Sequence, residues 1–175
     1  MFTIRIQFKR KGVFMLIELA KNDFIVSKTD LKGRLTYVNK IFVDIAEYTE
    51  QELLGKPHNI VRHPEMPKAI FKLLWESIQS KKELFAFVVN KTKLANEYWV
   101  FANITASLDE KGTPVGYYSV RRQANLEALA IIKPLYKQML EAEKRGGVEA
   151  SGKILKDILK EKGMDYNEFI ISLQK

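Results

Sequence analysis

The segment "HNIVRHPEMP" (58–67) holds both histidines of a 175-residue chain, an arginine between them and two prolines. Imidazoles beside a guanidinium suit three kinds of chemistry: proton transfer, metal ligation, and capture of an anionic or aromatic cofactor. Each proline fixes φ and lacks an N–H, so the segment is read as a rigid elbow and not as a regular helix. The five-residue separation of His58 and His63 does not bring two imidazoles together, and with no cysteine and no third histidine a metal shell cannot be completed. Turn architecture and cofactor anchoring remain. For the latter, Arg62 supplies a fixed positive fork suited to pyrophosphate oxygens and His63 a planar donor.

Enzyme chemistry finds little support. There is no Ser-His-Asp or Cys-His order, no glycine-rich phosphate loop and no HExxH, and the paired acids Glu50/Glu52 and Asp109/Glu110 fall at a helix start and a turn. A non-enzymatic role is expected. The absence of cysteine excludes disulfides, thiolate metal sites and cysteinyl cofactor adducts, and suits a reducing, cytoplasmic setting. The formal net charge of +8 is spread along the chain beyond a basic start, with no stripe of cations interleaved with stacking aromatics, so nucleic acid is not an expected partner. The apolar run "VFMLI" (13–17) is far short of the roughly 20 residues needed to cross a bilayer, so no membrane insertion is expected.

The elements that must position the elbow follow from periodicity. At the start, Phe2, Ile4, Ile6 and Phe8 alternate with Thr3, Arg5 and Gln7, which predicts an added strand or ordered arm; Met15 is an equally natural start. "FIVSKTD" and "LKGRLTYVN" read as a hairpin turning at Lys32-Gly33. Between Lys40 and Leu54 two short helices are expected, the second with Thr49 as N-cap, Glu52 three residues on and Gly55 as the stop. Pro67 begins the longest core helix, whose Ile70, Phe71, Leu74, Trp75 and Ile78 share one face. Three strands follow, "LFAFVVN", "EYWVFANITASL" and "PVGYYSVRR".

Together these make an α+β layout, a five-stranded antiparallel sheet with helices on one face and a pocket between them. Beyond Gln123 the chain turns helical: Ala128, Ile132, Leu135, Met139 and Ala142 mark a packing seam, Pro134 starts or kinks that helix, and "RGGV" breaks it. The expected divisions are an N-terminal extension (1–21), a sensor domain (22–123) and a helical tail (124–175).

This order of elements, with "GKPHNIVRHPEMP" followed by "LW", "NEYWVFANI" and "GYYSVR", resembles the PAS domain of bacterial aerotaxis, or energy-taxis, receptors. The resemblance runs from about Ile25 to Arg122. It implies a PAS fold that holds FAD non-covalently and reports its redox state. Receptors of that family continue into a membrane anchor and a methyl-accepting signalling domain, so the chain is expected to be a detached sensory half that signals to a membrane-anchored chemotaxis receptor. The tail seam would then pack on that partner or on a second copy, the alternative being that the tail only folds back on its own core.

Residue by residue, the family's cofactor-associated positions match Asn39, Arg62, His63, Trp75 and Asn90, with His58 alongside in the elbow. Three positions depart from the pattern, the first being Glu65, which stands where the family usually has an aspartate. Leu84 stands where a tryptophan is expected and Ala86 where a glycine is, so one aromatic contact to the ring is missing. Two alternatives remain: a haem-binding oxygen sensor with His58 or His63 as axial ligand, and a cofactor-free PAS module for protein pairing.

Overall fold

The computed structural model describes residues 6–11 and 14–175, with side chains from residue 16 onward. Strands β1 (Ile6–Lys11) and β2 (Phe14–Ile17) form an antiparallel hairpin that contains part of the expected N-terminal arm; Phe2 and Ile4 lie outside the described residues. Next come β3 (Ile25–Thr29), β4 (Leu35–Val38), α1 (Lys40–Ala46) and α2 (Glu50–Leu53), then a 3-10 turn at His58–Val61 and α3 (Lys68–Gln79). Strands β5 (Leu84–Lys91), β6 (Glu97–Leu108) and β7 (Pro114–Gln123) lead to α4 (Leu126–Lys162) and α5 (Tyr166–Leu173).

The five strands expected from the sequence are antiparallel neighbours, β5 against β6, β6 against β7, β7 against β3 and β3 against β4. The hairpin makes the sheet mixed, because Leu16 and Ile17 of β2 run parallel to Glu97 and Tyr98 at the start of β6. Register then assigns the faces. Ala86 pairs with Ala102, Ala102 with Arg121 and Arg121 with Ile25, so these four side chains share the inner face. Phe42, Ile45 and Ala46 of α1 pack there with Ile25, Leu35, Val38 and Val100.

Local rules account for the helix ends. The Asn39 side chain caps α1, and Thr49 with Glu52 forms the capping box of α2, so both short helices start where a side-chain acceptor meets their free N–H groups. Pro67 precedes α3 without a capping side chain of its own; the carboxylate of Glu143, from α4, accepts the Ala69 N–H at 3.0 Å instead.

Helices cover more than the one face expected. The outer face carries Phe85, Phe87, Trp99 and Phe101, and α4 and α5 pack onto it and over the free edge of β5. The stripe Ala128, Ile132, Leu135 and Met139, expected to meet a partner or a second copy, is buried inside this chain. The cause is the sheet itself: an edge strand with aromatic side chains on its outer face must be covered, and the tail is the nearest apolar surface. Gly146 and Gly147 leave helical geometry, the second at φ 68°, and so break α4 at "RGGV" as the sequence implied. Pro134 neither starts nor breaks the helix; it sits on the solvent side, where the carbonyl it leaves unbonded is open to water.

Adjacent positions on α4 offer a test of this packing. Ile132 is fully buried while Ile131 is 49% exposed. Ile132→Ala is expected to cost about 2–5 kcal/mol in urea unfolding, and Ile131→Ala to stay within about 0.5 kcal/mol of wild type. Equal, small losses would mean that the tail does not pack on the sheet.

Candidate functional site

Between the inner face and α3 lies a cavity of about 250 Å³. Its walls are apolar and aromatic, among them Met66, Ile70, Phe71, Trp75, Val88 and Ile104. Polar groups come from Ser27 and Thr29 on β3, His58, Asn59 and Arg62 from the elbow, Asn90 on β5, and Ser119 and Arg121 on β7. Lys32 and Gly33, from the β3–β4 turn, complete the lining. Gly33 has φ 73°, and a Cβ there would stand 3.1 Å from the Trp75 ring, so glycine lets the turn close over that indole. The same ring meets Tyr117 edge to face, centroids 5.5 Å apart.

The electrostatics are one-sided. Among the described residues, three cations, Lys32, Arg62 and Arg121, line the cavity and no carboxylate does. Arg121 is 6% exposed, and no acid side chain lies within ion-pair distance of it among the described residues; residues 1–15 contain no Asp or Glu. Its Nη1 donates to Ser27 Oγ at 3.2 Å and its Nη2 to His58 Nε2 at 2.6 Å, while the guanidinium lies over the Phe42 ring. Burial lowers its pKa to about 10, which leaves it charged near neutrality. Because arginine can only donate, His58 Nε2 must be the acceptor and its proton must sit on Nδ1. Burial first, and the Arg121 charge second, push the His58 pKa down to about 3, so this imidazole is neutral.

The six side chains expected at the site divide into two groups. Arg62, Trp75, Asn90 and His58 line the cavity. Arg62 stacks 3.9 Å over the Phe71 ring with its fork free of hydrogen bonds among the described residues, and its backbone bridges to that of Asn90, so the elbow is stitched to β5. Asn90 is 5% exposed and directly opposite Tyr98 on the inner face.

Asn39 and His63 line no part of it. The Asn39 amide is spent on structure: Oδ1 accepts from Val26 N and Phe42 N at 3.0 and 3.1 Å, and Nδ2 donates to Phe24 O at 2.7 Å. His63 Nδ1 accepts from Glu65 N at 3.2 Å and its Nε2 faces Glu97 at 3.9 Å, so it ties the elbow to itself and to β6.

Sequence reasoning missed Ser27, Ser119 and Arg121. A signal was present: Tyr117, Ser119 and Arg121 alternate along β7, and a strand whose inner face must meet helices does not carry a serine and an arginine there without a reason.

The fold and cavity identify the class of domain. Residues 35–121 match the family described as PAS fold. A PAS domain from Colwellia psychrerythraea superposes with a TM-score of 0.53 at 18% identity, covering 57% of this chain and 85% of that one. The dark structure of the blue-light photoreceptor Aureochrome1 LOV gives 0.55 at 20% identity, covering 70% and 88%. A second Light-Oxygen-Voltage domain, studied with a flavin analogue, gives 0.54 at 22% identity over 66% and 87%.

Within that class, the chain is 41% identical over 121 residues to the aerotaxis receptor of Escherichia coli (strain K12), and it belongs to the aerotaxis-receptor family of PAS domains. The alignment takes in 69% of this chain and 24% of the receptor. Phototropin-2 of Oryza sativa subsp. japonica is 23% identical over 59% of this chain and 12% of its own length.

The neutral imidazole has a consequence for stability. His58 stays unprotonated in the folded state down to about pH 3 but takes a proton at about pH 6.5 once unfolded, so below pH 6.5 the unfolded chain binds more protons. Stability is therefore expected to fall as the pH drops from about 6.5 to 5, with a slope of at most about 1.4 kcal/mol per pH unit from this group. In His58→Gln, urea unfolding across that window should give a flatter profile. The same slope in both proteins would assign the acid sensitivity to other groups.

Proposed function

We propose that this chain is a redox sensor that holds FAD non-covalently in the cavity and reports the flavin's state to a membrane-anchored methyl-accepting chemotaxis receptor. One observation carries the reading: an aromatic-walled cavity lined, among the described residues, by three cations and no carboxylate suits a planar ring attached to phosphates. At about 250 Å³ the cavity lies just below the roughly 300–1,000 Å³ usual for small-molecule sites, so a ring system is the part to be enclosed. The relatives support the same choice, one being named for aerotaxis and the phototropins and Light-Oxygen-Voltage domains being flavin-binding members of the fold.

The bound flavin would supply one- and two-electron redox chemistry. The protein's part is to bind and orient. Asn90, on the inner face of β5, offers a donor and an acceptor to a ring edge. Trp75 and Phe71 wall the ring space, and the β3–β4 turn closes over Trp75 at Gly33. The free fork of Arg62 at the elbow is the phosphate partner. Asn39 and His63 contribute indirectly, by holding α1 to β3 and the elbow in shape.

The haem reading is weakened by the imidazoles themselves. The Nε2 of His58 is occupied by Arg121, and His63 lies off the cavity. The seam of α4 is not available as an output surface, since it is buried against the sheet.

Purified protein should be yellow, and the pigment released by denaturation should be FAD. A Soret band would replace flavin by haem, and a colourless protein that takes up no added flavin would leave the pairing-module reading. Arg62→Ala is expected to weaken FAD binding by about 1.5–3 kcal/mol, the range for a hydrogen bond to a charged group, and by more than His58→Ala does. Equal FAD affinity in the two variants, measured by fluorescence titration, would remove Arg62 from the role of phosphate partner.

A further inference from the structure

The tail is anchored firmly at two places and loosely between them. Met139 and Ser151 are fully buried, but none of the residues from 140 to 150 is, and helical geometry fails at Gly146 and Gly147 inside that stretch. Two carboxylates tie the stretch to α3: Glu143 accepts the Ala69 N–H at 3.0 Å, and Glu149 pairs with Lys72 at 2.9 Å. The second pair is exposed on both sides, and ion pairs of that kind contribute little, so the Glu143 contact is the tie that matters.

Glu143 answers a need of α3 itself. Pro67 provides no capping side chain, and the free N–H groups at the positive end of the helix call for an acceptor from elsewhere. Arg62 stands at the same helix start, its guanidinium stacked on Phe71 in the first turn and its fork free of hydrogen bonds among the described residues. Glu143 makes no ion pair with it, yet the charge is felt there: burial lowers the Arg62 pKa, and the Glu143 carboxylate works against that fall. An anion received by the Arg62 fork therefore comes close to a negative charge already in place.

We propose that Glu143 is a built-in competitor for the anion held by Arg62, a latch through which occupancy of the elbow loosens residues 140–150 of the tail from α3. This rests on the reading of Arg62 as phosphate partner and adds to it a route out of the cavity. By linkage the effect runs both ways: bound phosphate weakens the tail contact by the same factor as the docked carboxylate weakens phosphate binding. The Gly146-Gly147 break gives the stretch a hinge, while Met139 on one flank and Leu155 on the other stay packed. Occupancy of the cavity so reaches the surface of the tail although the seam of α4 remains buried.

The test uses the full-length chain, with inorganic pyrophosphate and FAD as probes. Glu143→Gln keeps an acceptor for the Ala69 N–H and removes the charge; Glu141→Gln removes the same charge from a side chain that pairs with Lys144. In calorimetric titration Glu143→Gln should bind pyrophosphate about fivefold more tightly than wild type, and Glu141→Gln should match wild type. Trypsin reads the tail directly, because Lys144 and Arg145 lie in the loosened stretch beside the glycine break. Either probe should speed cleavage after these two residues several-fold in wild type and leave it unchanged in Glu143→Gln, where no charge is left to repel.

Equal pyrophosphate affinity in Glu143→Gln and wild type would overturn the latch, as would a cleavage rate that neither bound probe alters. A wild-type chain that takes up pyrophosphate and no FAD sinks the flavin reading alone, and cleavage in pyrophosphate still decides the latch. If neither wild type nor Glu143→Gln takes up either probe, Arg62 receives no anion and both readings fall.

Discussion

At the free edge of β5 the N–H groups of Phe85 and Val89 and the carbonyl of Phe87 point away from β6, and each is met by a side chain from elsewhere. Asn167 of α5 accepts from Phe85 N at 3.0 Å, the Tyr136 hydroxyl of α4 donates to Phe87 O at 2.7 Å, and Met66 Sδ of the elbow takes Val89 N at 3.4 Å. An open strand edge is a template for aggregation, and unpaired backbone groups are expensive to bury, so this edge has to be closed. Closing it draws α4 and α5 over the outer face and α4 against α3. The Glu143 carboxylate that results at the start of α3 links the tail to the helix that walls the cavity.

The inner face of the same sheet is built on the opposite principle. Where the outer face packs Phe85, Phe87, Trp99 and Phe101 under the tail, the inner face leaves a space and places polar groups around it that the protein does not fully satisfy. Arg121 sits beside a neutral imidazole and a serine where a carboxylate would be the stabilising neighbour, and Ser119 has no partner among the described residues. Such local conflict stands out in a chain whose caps, turns and register otherwise agree with one another, and conflict of this kind marks a site. His58 is central to it, since protonating its Nε2 would both repel Arg121 and remove the acceptor that fixes the fork.

The elements were legible in the sequence because each is set by local chemistry. The Thr49–Glu52 box, the Lys32-Gly33 turn, the Gly146-Gly147 break and the aromatic and β-branched content of β5 to β7 depend on residues a few positions apart, and they appear where the pattern puts them. Arg62, Trp75, Asn90 and His58 could be placed at a cavity because the resemblance to the aerotaxis-receptor PAS domain implied a cofactor role for these positions and for the elbow, and all four line it. What local pattern leaves open is the direction in which a polar side chain spends its hydrogen bonds. The amide of Asn39 goes to Val26, Phe42 and Phe24, and the imidazole of His63 to Glu65 and Glu97, choices made by neighbours up to 34 residues away.

The fate of the tail was open for the same reason. An apolar stripe stepping by three and four along a helix states that something must cover it, and Ala128, Ile132, Leu135 and Met139 carry that statement in the sequence alone. Whether the cover is a partner, a second copy or the chain's own sheet depends on which apolar surface is left over once the strands have paired. Here the outer face and open edge of β5 supply it, and only the folded arrangement brings Tyr136 within reach of Phe87. The sequence by itself determined the elements, their order and the chemistry offered to a cavity, because those are short-range matters of periodicity, capping and residue type. The tertiary structure decided which polar groups are already satisfied and which remain for a ligand, because that is settled by long-range pairing across the sheet.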